Sequence, residues 1–157
     1  MRKNNEGWGR LTAVRKDFNP VLISEHEQLD ILVVEATIGI QKVNIINAYG
    51  FQEDDLIELK YDFFTKLGDE IEATKVEGKM LCLEMDANSK LGPDVIAGDP
   101  HEQSRNGKLL MELVTDLNLI VVNATEKCSG VITRIRKVTN KTTKEVRTKK
   151  SVIDFFI

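Results

Sequence analysis

The period of the apolar positions changes several times along this chain, and each change marks an element. "DILVVEAT" (Asp30–Thr37) and "KVNIINAY" (Lys42–Tyr49) are rich in β-branched residues and separated by a glycine-containing turn, which predicts a strand hairpin. From Asp55 onward the spacing becomes helical. Leu56, Leu59, Phe63, Leu67 and Ile71 recur on one face, behind acids suited to a helix start. "MLCLEM" (Met80–Met85) returns to strand, followed by a glycine- and proline-marked loop from Ser89 to about Gln103, a length often tied to function. A second helix has Leu110, Leu113, Val114 and Leu117 as its apolar stripe, with Asn106-Gly107 in its start region. "LIVVN" (Leu119–Asn123) reads as a buried strand and "RLTAVRK" (Arg10–Lys16) as a short one. At the end, "GVITRIRKV" and "EVRTKKSVIDFFI" flank Thr139-Asn140-Lys141-Thr142 and predict a basic hairpin. Strands outnumber helices, and long helices separate some of them, which points to an α/β sandwich.

Composition adds bounds to that outline. At 157 residues the chain has room for one domain with a sizeable core. No apolar run approaches the roughly 20 residues of a membrane span. Basic residues near the N-terminus are not followed by the apolar segment of a secretory signal. Cys82 and Cys128 make neither a disulfide framework nor a metal spacing, so a reduced, intracellular setting is expected, with Cys82 as a small core residue. There is no internal repeat and no low-complexity tract.

Charge is uneven. The net charge is −3, yet Lys127, Arg134, Arg136, Lys137, Lys141, Lys144, Arg147, Lys149 and Lys150 fall within one segment, opposed there by Glu145 alone. Such a segment on an otherwise acidic chain suits contact with a phosphate backbone. It equally suits a solvated hairpin kept soluble by edge lysines.

The candidate chemistry lies at the end of the "MLCLEM" run, where Asp86-Ala87-Asn88 follows directly. If the strand continues, positions 86 and 88 project from the same side and set an acid beside an amide at a sheet rim. That pair suits a metal, a phosphate, or simply a turn. Tyr49 closes an earlier strand, where half-buried packing is the ordinary role. Asp154 stands between Ile153 and Phe155, where an ionised carboxylate needs a partner; alternation puts Val152, Asp154 and Phe156 on one face.

Three pieces in order, "NIINAYGFQ", "CLEMDANSKLG" and "KKSVIDFFI", resemble motifs of the endonuclease/exonuclease/phosphatase superfamily. They most resemble the apurinic-endonuclease-like domains of non-LTR retrotransposon endonuclease–reverse transcriptases. In those domains the pieces read like I-N-x-Y-x-P, G-D-F-N-A and S-x-I-D-Y, and Tyr49, Asp86, Asn88, Ser151 and Asp154 occupy the matching positions here. The connectors are similar as well. "SRNGKLLMELVTDLNLIVVN" (Ser104–Asn123) matches an N-G-x-x-L-x-x-F helix and the strand after it. "GVITR" matches a strand ending in a Thr-Trp step, with Thr133 followed by Arg134. Phe51 stands where that family has proline, and Glu84-Met85 where it has glycine.

The resemblance implies a four-layer α/β sandwich, incomplete at both edges, with residues 1–157 forming a single partial domain. The family's initial strands, carrying an Asn and a metal-binding Glu, and its final Ser-Asp-His strand have no counterpart by motif. Neither His26 nor His101, both in loop-like surroundings, is expected to take over the histidine's role. It further implies a Mg²⁺- or Mn²⁺-dependent DNA endonuclease, weak or inactive as this chain. Asp86 would handle the attacking water or the metal, and Asn88 and Tyr49 the phosphate. Asp154 would orient a histidine, braced by Ser151. The basic hairpin would contact the DNA backbone. Partners implied are DNA, a reverse transcriptase in the full-length product, and a second copy through exposed sheet edges. A binding remnant without catalysis, and a phosphatase of the same superfamily, are the alternatives.

Overall fold

The computed structural model describes residues 11–126, 128, 132–139 and 146–157. Strand β1 (Val21–His26) is followed by β2 (Ile31–Ile38) and β3 (Gln41–Tyr49), then α1 (Ile57–Val76), β4 (Met80–Asp86) and α2 (Arg105–Asp116). The chain ends with β5 (Arg134–Thr139), β6 (Val146–Ser151) and the short β7 (Asp154–Phe156). One mixed sheet has the order β1-β2-β3-β4-β7, and β5 and β6 form a separate two-stranded sheet. The parallel step from β3 to β4 is made through α1, the usual crossover for parallel neighbours.

Register explains where the core sits. Ile31, Ala48, Met85 and Phe155 lie in one cross-strand row, and Val33, Ile46 and Leu83 in the next. All seven are buried on the face that meets Phe63, Leu67 and Ile71 of α1 and Leu110 and Val114 of α2. Fully burying one such side chain is worth about 1.5–3 kcal/mol, so this face carries the cohesion of the sheet. The buried polar pair Asn44–Thr74 bonds across the same interface at 2.9 Å, which satisfies the Thr74 hydroxyl inside the core.

The opposite face alternates with it. Leu22, Val34, Ile45 and Cys82 form one row there, and Leu32, Asn47, Glu84 and Phe156 another. These residues are mostly half-buried, and Phe156 is 50% exposed. The segment before β1 crosses this face, with Asn47 Nδ2 donating to the Leu11 carbonyl and the Thr12 hydroxyl, both at 3.2 Å. Cys82 therefore sits on the thinly covered side, not in the core; burial and the neighbouring Glu84 push its thiol pKa up.

Several expectations are corrected. Within "RLTAVRK", residues 11–15 form no strand; the chain turns there and makes a single 3₁₀ turn, Lys16–Phe18. β1 is the strand that sequence missed, because its consecutive exposed Val21, Leu22 and Ile23 carry no clear alternation and a bulge falls between Leu22 and Ser24. "LIVVN" is no strand either. Only Val121 of its apolar residues is buried, and Val122–Ala124 is a 3₁₀ turn. The last run splits: β6 pairs with β5, Val152 and Ile153 turn inward, and β7 pairs with β4. The 140–145 turn of the hairpin lies outside the described residues. Among the described residues, no helix is long and apolar enough to cross a membrane.

Candidate functional site

Tyr49, Asp86 and Asp154 end or begin three adjacent strands, and their register pairs them in one row: Tyr49 with Asp86, and Asp86 with Asp154. The row lies on the face opposite the helices, since Ala48, Met85 and Phe155, one position away, face the core. Tyr49 and Asp86 are half-buried and Asp154 is exposed. That exposure corrects the expected cost of an acid in an apolar strand. Val152 is fully buried while Asp154 faces outward, so the two do not share a face.

Asn88 joins the row by a turn, not by alternation. β4 ends at Asp86, and Asn88 adopts a left-handed backbone with φ of 45°, a conformation asparagine tolerates better than most residues. Its backbone N–H donates to Asp86 Oδ1 at 3.0 Å and its Nδ2 donates to the Gly50 carbonyl at 2.9 Å. The turn-forming role and the site role are thus carried by the same two residues. Gly50 lets the loops approach: a Cβ there would lie 2.7 Å from the Ala87 carbonyl oxygen. Gly50 N–H also donates to the Asp86 carbonyl at 2.8 Å.

Three supporting groups were not singled out for these roles by sequence reasoning. Thr133 Oγ1 accepts from the backbone N–H groups of Ile153 (3.0 Å) and Asp154 (3.3 Å), tying the base of the β5–β6 hairpin to the rim. Asn123 Oδ1 accepts from Phe156 N–H at 2.7 Å and its Nδ2 donates to the Asp154 carbonyl at 3.4 Å, so a side-chain amide borders β7 where another strand would pair. Asn106 bridges the loops after β3 and β4. For Thr133 and Asn123 a polar residue after an apolar run was the available signal, and for Asn106 its place in the start region of a helix, but each partner is remote in sequence.

Neither described histidine joins the rim. His26 ends β1 instead of lying in a loop, and its Nε2 is 2.8 Å from Glu70 Oε1, on the helix-covered face. Burial alone would raise the pKa of Glu70, but His26, Ser24 and Lys66 together hold it below the ordinary value. His101 Nε2 lies 2.9 Å from the Lys150 carbonyl oxygen.

In the hairpin, Lys137, Arg147 and Lys150 are exposed. Lys137 pairs with Thr148 and Arg147 with Val138, so positive charge faces both sides. Arg134, Arg136, Lys149 and Ser151 occupy strand positions in β5 and β6, and their side chains, like all of Lys141 and Lys144, lie outside the described residues. Among the described residues, no three His, Cys, Asp or Glu groups converge as a metal cage.

No family model and no curated protein matches the sequence. Among solved structures, the endonuclease domain of TRAS1, a telomere-specific non-LTR retrotransposon, matches with a TM-score of 0.55 and 21% identity over 88% of this chain. In fold, the chain resembles that endonuclease domain. It spans 55% of that domain's length.

Proposed function

We propose that this chain carries the phosphate-facing rim of a Mg²⁺-dependent DNA endonuclease of the retrotransposon type. The observation that supports it is the single row Tyr49–Asp86–Asp154 with Asn88 turned back onto Asp86. In this reading Asp86 orients or deprotonates the attacking water, and the second hydrogen of the Asn88 amide donates to the scissile phosphate. Tyr49 donates its hydroxyl to a phosphoryl oxygen. Asp154 adds a second carboxylate at the same strand ends, and orienting a histidine, braced by Ser151, is the role the family resemblance gives it. Two neighbouring carboxylates fit Mg²⁺ or Mn²⁺, which in phosphate sites takes one or two acids and completes its shell with water and phosphate. The ion, when bound, neutralises charge developing on the phosphoryl and leaving oxygens.

Lys137, Arg147 and Lys150 place positive charge on a hairpin whose base is fastened beside Asp154. They, with Arg134, Arg136, Lys141, Lys144 and Lys149, would hold the DNA backbone and set its position without reading sequence. For the whole domain we infer the four-layer sandwich, with a second sheet over the half-buried face that carries Leu32, Val34 and Ile45. A reverse transcriptase in the same product and pairing of copies through sheet edges belong to the same reading.

A second reading, DNA binding without cleavage, rests on the exposed Lys137, Arg147 and Lys150, which need no metal to hold a phosphate backbone. Supercoiled plasmid incubated with Mg²⁺ or with EDTA, beside an Asp86→Ala control, separates them. Nicking that requires both Mg²⁺ and Asp86 supports the nuclease. A salt-dependent shift of DNA with no nicking supports the binding reading. Phosphate released from small phosphomonoesters, without nicking, would move the substrate class to the phosphatases.

A further inference from the structure

Asn106-Gly107 serves for more than starting a helix. Asn106 is the second residue of α2, after the cap Ser104, and it is 1% exposed. Its Nδ2 donates to the Phe51 carbonyl at 2.8 Å and to the Asn88 carbonyl at 3.2 Å. Phe51 lies two residues past Tyr49, and Asn88 two residues past Asp86. A single buried amide therefore spends both hydrogens in linking the loop after β3 to the turn after β4.

The surroundings fix that amide in place. Glu53, in the loop after β3, accepts at its carboxylate from the Arg105 and Asn106 backbone N–H groups, at 2.8 and 3.3 Å. Ser104 Oγ accepts from Lys90 N–H at 3.1 Å, and Ser104 N–H donates to the Lys90 carbonyl at 3.0 Å. Gly107 leaves the room that lets the Lys90 carbonyl lie against the helix. The amide orientation is chemically determined as well. Both partners are carbonyl oxygens, so the nitrogen must face them, and Oδ1 is left buried with no hydrogen-bond partner among the described residues.

We propose that Asn106 is a positioning residue for the rim. It fixes the separation between the end of β3 and the turn after β4, and thereby the placement of Tyr49 relative to Asp86 and Asn88. Its importance for a metal-assisted phosphate site rests on the function proposed above; its hold on the two loops does not.

The test compares Asn106→Asp with a structural control, Leu110→Ala, in the full chain at a temperature where both are folded. The aspartate is isosteric, but even when protonated it has a single hydrogen to donate, so it cannot bond both carbonyls. Leu110 is a fully buried apolar residue of the same helix, a member of the core cluster with no polar group to bond the loops' carbonyls. Amide ¹H–¹⁵N spectra should show N106D moving the signals of Tyr49–Gln52 and Asp86–Ser89 while β1 stays in place, with L110A leaving the rim signals unmoved. Manganese titration, followed by broadening of the same signals, should show about 10-fold weaker binding for N106D, the usual loss when a group that orients a metal ligand is removed.

If N106D leaves the rim signals at their wild-type positions, or L110A moves them as far, the proposal is overturned. If wild type shows no manganese broadening at the rim, the metal-site reading fails, and the amide comparison still decides the positioning role. Should N106D not fold, the wild-type protein decides it alone: two slowly exchanging Asn106 side-chain amide protons are expected, and rapid exchange refutes the bridge.

Discussion

Replacing Gly107 with alanine sets two physical effects against each other. Gly107 is the third residue of α2, and helix propensity alone favours alanine there by about 1 kcal/mol. The tertiary structure opposes this. A Cβ at Gly107 would lie 2.0 Å from the Lys90 carbonyl oxygen and 2.9 Å from its carbonyl carbon, both backbone atoms that cannot rotate away. Relieving the overlap requires α2 and the Lys90 loop to separate by about 1 Å, well beyond what close-packed interiors absorb. That movement stretches the Ser104 N–H bond to the Lys90 carbonyl and the Lys90 N–H bond to Ser104 Oγ. Two hydrogen bonds at about 1 kcal/mol each, plus 1–3 kcal/mol for overpacking, exceed the propensity gain. The net expectation is destabilisation by about 2–4 kcal/mol. Urea unfolding at 25 °C, at a slope of about 2 kcal/mol/M, should show the midpoint falling by about 1–2 M. An unchanged or raised midpoint would refute the reasoning, because helix propensity would then outweigh the contact.

Three further outcomes follow from the same structure. Ser104→Ala removes the acceptor for both Gly107 N–H and Lys90 N–H and should cost about 1–2 kcal/mol, measured by the urea midpoint. Leu83→Ala, at a fully buried position on the helix-covered face, should cost about 2–5 kcal/mol, whereas Phe156→Ala on the half-exposed face should cost clearly less; equal losses would mean that both faces are packed alike. Glu35 is held below its ordinary pKa by hydrogen bonds from Lys42 and Lys79, and Glu70 by its partners over the opposing effect of burial. A lowered folded-state pKa gives stability that is present above the unfolded value, near 4.5, and is lost as pH falls through the folded value. The urea midpoint should therefore drop below about pH 4.5, and Glu35→Gln should be less stable at pH 7 and show a shallower acid loss.

Much of the fold is legible in local pattern. The β2–β3 hairpin, α1, β4 and α2 have sustained periods of two or 3.6, and their faces follow from those periods directly. β1 and Leu119–Asn123 escape this logic in opposite ways. β1 has little alternation and exists because its backbone pairs with β2 across a bulge, while the apolar run at 119–123 finds no partner strand among the described residues and folds back on α2, Leu119 N–H donating to the Val114 carbonyl at 2.8 Å. Strand formation depends on a neighbour, so β-rich composition predicts it only when the neighbour is also known.

By itself, the sequence determined the alternation that buries Ile46, Ala48, Leu83 and Met85, the helical stripes that cover them, and the presence of Tyr49 and Asp86 at strand ends. Those are properties of residues close together in the chain, set by side-chain period and turn chemistry. Only the tertiary structure decided that Asp154 stands beside Asp86, that Asn123 and Thr133 fasten β7, and that one amide from α2 joins the loops carrying Tyr49 and Asn88. Each of these depends on the register of strands far apart in sequence. A register shift of one residue would send the same side chains to the opposite face of the sheet.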